Sequence, residues 1–96
     1  MNSRQRAYLR GLANKIDAKY QFGKDGLSEA FLAQIDQALE ANELIKIHIL
    51  DNSLSDPRGI CDEICENLNA TGVQVIGSKI VIYRESVNKK TIVLPK

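Results

Sequence analysis

The residues with the clearest chemical potential form a short turn flanked by glycines, Gly23-Lys24-Asp25-Gly26. Glycine allows a tight backbone bend and the close approach of a ligand. Ser28 follows as the predicted N-cap of a helix, and the free N–H groups of a helix start favour an anion such as phosphate. Most Gly-x-x-Gly stretches are only turns, so a phosphate-binding role depends on what surrounds this one.

Charge is strongly segregated along the chain, although the formal net charge is only +1. Residues 1–24 carry six basic side chains and one acidic, residues 25–66 carry ten acidic and two basic, and residues 67–96 carry five basic and one acidic. If the fold brings the two basic ends together, the molecule presents a basic face suited to nucleic acid and an acidic back. The alternative is that these side chains only form solvated faces.

The remaining reactive side chains do not assemble a catalytic or metal site. His48 is the only histidine, which favours a surface or hydrogen-bonded role over a catalytic base. Cys61 and Cys65 lie four residues apart on one predicted helix face, and no second Cys or His pair completes a tetrahedral metal site. We therefore expect reduced cysteines in the core, no enzymatic activity, no metal and no cofactor.

Helices and strands alternate among the predicted elements that must position these residues. Apolar residues at helical spacing predict three helices, with N-caps at Ser3, Ser28 and Asp56. Alternating apolar residues predict strands at 18–22, 45–49, 73–76 and 80–84, with the second near the sheet centre. Residues 91–94 predict a further short edge strand. This order predicts an α/β fold, a two-layer α-β-α-β-α-β-β sandwich whose mixed four-stranded sheet is covered largely on one face.

The length and the N-terminal sequence bound the class of protein. We expect a single domain over residues 1–96, because a chain of this size supports one modest core. Residues 1–10 are polar and basic with no apolar run behind them, and no stretch approaches the roughly 18 apolar residues of a membrane helix. The expectation is a cytoplasmic protein with no signal peptide and no membrane association.

Five segments, in matching order and spacing, carry a resemblance to a known family. They are LRGLA at 9–13, GKDGL at 23–27, ELIKI at 43–47, GVQVIG at 72–77 and IVIYR at 80–84. The chain resembles the CRM domain (chloroplast RNA splicing and ribosome maturation), most closely its stand-alone bacterial form, the YhbY-type proteins. The resemblance implies an RNA-binding fold similar to the C-terminal domain of translation initiation factor three. It also implies a KH-like Gly-x-x-Gly loop and an association with precursors of the large ribosomal subunit.

The mechanism predicted from this resemblance and from the charges is electrostatic. Backbone N–H groups of the loop and the following helix meet one phosphate, while flanking cations neutralise others. The predicted RNA-binding residues are Gly23, Lys24, Asp25, Gly26, Arg6, Arg10, Lys15, Lys19, Arg84, Lys89 and Lys90. An acid at position 25 is unfavourable beside phosphate unless it points away, so Arg and Lys are expected to supply most of the attraction. Three tyrosines can stack on bases, but their apolar patterns favour core packing: Tyr8, Tyr20 and Tyr83.

Two other functions compete with RNA binding. One is a protein-interaction module that docks on a basic ribosomal protein through the acidic middle segment, represented by Asp62, Glu63 and Glu66. The other is a metal-dependent nuclease using the same acids, which is disfavoured because they occupy a solvated helix face. The favoured function is recognition of structured ribosomal RNA in the large-subunit precursor by a monomer, with ribosomal proteins as possible further partners.

Overall fold

Three helices and four strands follow one another in the predicted order. The computed structural model describes residues 1–23, 26–50 and 56–96. The elements are α1 (Ser3–Ala13), β1 (Tyr20–Phe22), α2 (Glu29–Asn42), β2 (Leu44–Ile49), α3 (Pro57–Leu68), β3 (Thr71–Ile76) and β4 (Lys79–Tyr83). The strand predicted at 91–94 is wrong, because this segment is held by a glutamate side chain and not by a strand ladder.

The four strands form one mixed sheet in the order β1-β2-β4-β3. β1 runs parallel to β2, and both β2–β4 and β3–β4 are antiparallel pairs. This arrangement confirms the predicted fold class and the interior position of β2. The first strand is shorter than predicted, since it begins at Tyr20, and β3 carries a register shift between Gly72 and Gln74.

Short side chains next to each helix satisfy N–H groups of its first turn. At α1 the N-cap is Asn2 and not the predicted Ser3, because the Asn2 carboxamide accepts from the Gln5 N–H at 2.8 Å and completes a capping box. The caps at Ser28 and Asp56 are confirmed. No helix among the described residues is long and apolar enough to cross a bilayer.

Each face of the sheet has its own apolar core. α2 and α3 pack on the face that carries Ile45, Ile47 and Ile49. On the other face, α1 places Leu9 and Ala13 against one end of the sheet, over the buried side chains of Leu44, Val73, Val81 and Tyr83. α1 is a single helix, and none of the helices in the described ranges covers the rest of this second face.

The two ends of the chain meet on the α1 side of the sheet. The Gln5 side chain donates to the Pro95 carbonyl at 3.0 Å, and the Arg4 guanidinium donates to the Lys96 carbonyl at 3.1 Å. Ile92 also packs against the α1 core. The first and last residues of the chain therefore share the α1 side of the sheet, and the acidic helices α2 and α3 cover the other.

Two glutamates at the C-terminal end of α2 hold the segment that follows β4. Glu43 is fully buried, and its carboxylate accepts the N–H groups of Ser86, Thr91 and Ile92 at 2.7–2.8 Å. The carboxylate of Glu40 accepts the N–H groups of residues 87 and 88 and the Ser86 hydroxyl. These bonds fix the course of the loop that carries two of the predicted RNA-binding lysines.

Candidate nucleic-acid interface

The glycine turn closes on itself through one backbone hydrogen bond. The Gly26 N–H donates to the Gly23 carbonyl at 3.0 Å, and Gly26 has a φ of +63°. This left-handed conformation strains any residue with a Cβ, so the second glycine is required by the backbone. Lys24 and Asp25 lie outside the described residues.

The start of α2 lies directly beside this turn. Ser28 caps the helix by accepting the Phe31 N–H at 3.1 Å. A groove of about 250 Å³ is lined by both glycines, by Ser28 and by the amide side chains of Gln21 and Gln34. The turn therefore borders a polar groove at a helix N-terminus, where an anion is favoured by the helix dipole.

Two further hydrogen bonds place the β3–β4 hairpin tip at the same end of the sheet. The Leu50 N–H donates to the Phe22 carbonyl at 2.9 Å, beside the glycine turn, and the Ile49 N–H donates to the Ser78 carbonyl at 2.7 Å. Lys79, next to Ser78, is exposed. The hairpin therefore brings a lysine to the end of the sheet that carries the turn.

Two arginines of α1 are partly buried, and one of them shares a cleft with β3. Arg6 and Arg10 are half-buried, one helical turn apart, and lie on the side of α1 away from the C-terminal tail. Arg6 lines a cleft of about 400 Å³ with Gln74 of β3 and with Arg58 and the acid Asp62 from α3. Sequence reasoning missed Arg58, because it belongs to the acidic middle segment and meets Arg6 only in the folded protein.

The C-terminal end of α1 leads into a second basic groove. This groove, of about 320 Å³, is lined by Lys15 and Lys19 and by Lys46 from β2. Asp17 is the one acid that lines it. Sequence reasoning missed Lys46 as well, although its alternation with buried isoleucines indicates that it points away from the α2–α3 core.

Two of the three RNA contacts predicted after β4, Arg84 and Lys90, already bind other groups of the protein. Arg84 donates to the Asp36 carboxylate at 2.7 Å and to the carbonyls of Asp36 and Leu68 at 3.0 Å. Lys90 pairs with Glu85 at 2.9 Å, and this hydrogen bond raises the pKa of Lys90. Arg84 thus joins β4 to both helices, which weakens the case for a phosphate contact, whereas Lys89 is exposed.

The three tyrosines have different environments. Tyr83 is buried in the α1 core, and Tyr20 packs against the α2–α3 core. Tyr8 is 43% exposed on α1. Core packing therefore describes Tyr83, whereas Tyr20 is half-buried and also lines the groove of Lys15 and Lys19, and Tyr8 is the exposed residue of the three.

The cysteines and acids do not form a reactive centre in the described part of the chain. Cys61 is buried and Cys65 half-buried, both as free thiols in the α2–α3 core, which confirms the predicted core role. Their mutual hydrogen bond lowers the pKa of Cys61 and raises that of Cys65, where burial acts in the same direction. Within residues 1–23, 26–50 and 56–96, no three His, Cys, Asp or Glu side chains are grouped to hold a metal ion.

Comparison with known proteins identifies the family. Residues 1–84 match the model of the CRS1/YhbY (CRM) domain. The chain belongs to the CRS1/YhbY family. A Bacillus subtilis CRM relative, named as the probable RNA-binding protein YqeI, is 36% identical over 95 residues, with 99% of each chain covered. A Haemophilus influenzae relative named as an RNA-binding protein is 34% identical, covering 100% of this chain and 96% of its own.

A solved structure shows the same CRM fold. The solution structure of Staphylococcus aureus SAV1595, described as a candidate RNA-binding protein, superposes with a TM-score of 0.83. The two chains are 46% identical, and the match covers 99% of each. The CRM resemblance found in the sequence is therefore confirmed in both family and fold.

Proposed function

We propose that this CRM protein binds RNA through its α1 side, and that its target is structured ribosomal RNA in precursors of the large subunit. The observation that carries the proposal is the convergence of cations from separate segments, Arg6, Lys15 and Lys46 among them, on one side of the sheet. The names of the B. subtilis and H. influenzae relatives support RNA as the ligand. A role in ribosome assembly implies a cytoplasmic protein.

The proposed binding is driven by charge and shape. Each phosphate neutralised by Lys or Arg releases condensed counterions, which gives affinity without reading a base sequence. The glycine turn and the start of α2 supply backbone N–H groups for one phosphate and fix the register of the RNA. Because Tyr8 is the one tyrosine with a largely accessible ring, base stacking has a minor part, as in shape-based recognition of folded RNA.

The test is the salt dependence of binding to a transcript of large-subunit ribosomal RNA. The logarithm of affinity should fall with the logarithm of salt by about 0.7 per phosphate contact. Replacing Arg6, Arg10 and Lys15 by Gln should flatten the slope by about 2 and weaken binding about 100-fold at 0.1 M salt. The control changes the net charge equally on the opposite face, by Glu at the exposed positions Ala33, Gln37 and Ala41.

Salt-independent binding, or a control variant that loses as much affinity as the α1 variant, would contradict the proposal. The assembly role needs a second measurement. Tagged protein should sediment with large-subunit precursors, and nuclease treatment should release it.

The alternative is docking on a basic protein through Asp62, Glu63 and Glu66, which are all exposed on α3. That alternative would be favoured if the protein still co-purified with its partner after nuclease treatment, and if neutralising these three acids abolished the co-purification.

A further inference from the structure

The part of the α1-side sheet face that α1 leaves uncovered has no assigned role. One row of paired residues crosses all four strands there: Gln21 on β1, His48 on β2, Lys79 on β4 and Ile76 on β3. Three of the four are exposed and His48 is half-buried. Lys46 and Gln74 lie between this row and α1, on the same face. These six residues are called the open sheet face below.

The open sheet face lies between two parts of the proposed RNA interface, α1 on one side and the glycine turn with the hairpin tip on the other. Along one margin runs α1, whose Arg6 shares a cleft with Gln74 and whose end contributes Lys15 to the groove of Lys46. Along the opposite margin lie the glycine turn, which follows Gln21 and Phe22, and the hairpin tip beside Lys79. An RNA strand that runs directly from one margin to the other crosses this surface.

The chemistry of the open sheet face fits a polyanion. Lys46 and Lys79 are its charged residues, and it contains no acid. Its one exposed apolar side chain, Ile76, is too small a patch for an apolar protein interface. The row spans three interstrand spacings, about 14 Å, which is room for about four stacked nucleotides at about 3.4 Å each.

We propose that the open sheet face is a third RNA contact surface, and that it carries the strand between α1 and the glycine turn through phosphate contacts to Lys46 and Lys79. This inference rests on the proposed RNA-binding function. It adds Gln21, His48 and the β3–β4 hairpin, with Lys79, to an interface otherwise formed by α1, Lys46 and one turn.

The test compares variants in their affinity for dodecauridylate. Lys46→Gln with Lys79→Gln should weaken binding about 25-fold at 0.1 M salt and flatten the salt slope by about 1.4, since two contacts are lost. Arginine at both positions should retain the affinity. The matched control, Ala33→Glu with Gln37→Glu, makes the same change in net charge on the other face and should alter affinity less than about 2-fold. Thermal unfolding confirms that each variant is folded.

Amide chemical shifts map the surface without mutation. On titration of the wild-type protein with dodecauridylate, the amide signals of Lys46, His48 and Lys79 should move together with those of α1. Affinity of the double lysine variant within 2-fold of wild type, or an equal loss in the matched control, would overturn the open sheet face. Shifts confined to α1 and the glycine turn would overturn it too, and the proposed function would stand. Absence of salt-dependent binding by the wild-type protein would overturn both.

Discussion

On the α1 side of the sheet the cations reach the surface, whereas at the C-terminal end of α2 two carboxylates are hydrogen-bonded by the protein itself. Arg6, Lys15 and Lys46 line clefts that open to solvent. Glu43 is fully buried and accepts three backbone N–H groups, and Glu40 accepts two. Among residues 1–23, 26–50 and 56–96, the side chains of the first group have no hydrogen-bond or ion-pair partner, whereas the second group has the protein's own backbone as its partner.

The comparison shows that the charge of a segment does not reveal its use. Both glutamates belong to the acidic middle of the sequence, yet their carboxylates bind the backbone of the C-terminal segment. Arg84 is the basic counterpart, since its guanidinium binds Asp36 and two carbonyls. A charged group acts in binding only where the fold leaves its hydrogen bonds unused.

The strongest test of this difference is the buried carboxylate. Glu43→Gln replaces one acceptor oxygen by an NH₂ group that faces backbone donors, so buried N–H groups lose their partners. We expect the free energy of unfolding in urea to fall by about 3 kcal/mol. Glu63→Gln, on the exposed face of α3, is the control and should change it by less than about 0.5 kcal/mol. Equal effects of the two substitutions would show that Glu43 is not a structural charge.

A substitution of Arg84 tests whether this predicted RNA contact instead stabilises the fold. Arg84→Gln removes the bonds that join β4 to α2 and α3, and we expect a loss of about 1–2 kcal/mol in unfolding free energy, moderated by the exposure of Asp36. Its RNA affinity should stay within about 2-fold of wild type. Lys89→Gln is the comparison, because Lys89 is exposed and should change stability little. A large loss of RNA affinity with unchanged stability would instead assign Arg84 to the interface.

The glycine turn offers a smaller test, based on backbone conformation. Gly26→Ala places a Cβ on a residue with φ of +63°, which should cost about 1 kcal/mol in unfolding free energy. Gly23→Ala is the matched control, since its Cβ would make an ordinary contact of 3.4 Å with Leu50. Equal stabilities of the two variants in urea titration would show that the left-handed turn does not persist in solution.

The smallest expected effect is a local loosening of the chain when Glu40 is protonated at acid pH. The N–H groups of Val87 and Asn88 and the Ser86 hydroxyl lower the pKa of Glu40 from 4.5 to about 2. Because the folded pKa is the lower one, the contribution of Glu40 is complete above pH 4.5 and is lost as pH falls toward 2. The protection factors of the amides at residues 87 and 88, which compare each exchange rate with the intrinsic rate at the same pH, should therefore fall over this range. In Glu40→Gln the exchange should already be faster at neutral pH and should lack this acid-dependent step.

The glutamate at position 43 has two opposing influences on its pKa. Burial raises the pKa, but the N–H groups of Ser86, Ile92 and Thr91 outweigh burial and hold it below the usual value. Its contribution to stability has the same sign as that of Glu40, so it is present at neutral pH and is lost in acid. The C-terminal segment is therefore attached through ionised carboxylates.

Local patterns predicted most of the fold. The alternation of Ile45, Ile47 and Ile49 located the interior strand, and Ser28 and Asp56 located two helix starts. These signals succeed because strand periodicity and helix caps depend on residues at most four positions apart. The error at 91–94 arose because the donors there bind a glutamate 48 residues away in sequence.

The sequence by itself determined the family, the order of the elements and the basic character of α1. Only the tertiary structure decided which charges are accessible. It enclosed Glu43 through partners 43 to 49 residues distant, engaged Arg84 with Asp36, and placed Arg58 and Arg6 on one cleft. The physical reason is that a charged group is stabilised either by water or by hydrogen bonds in the fold, and its partners are set by packing between distant segments.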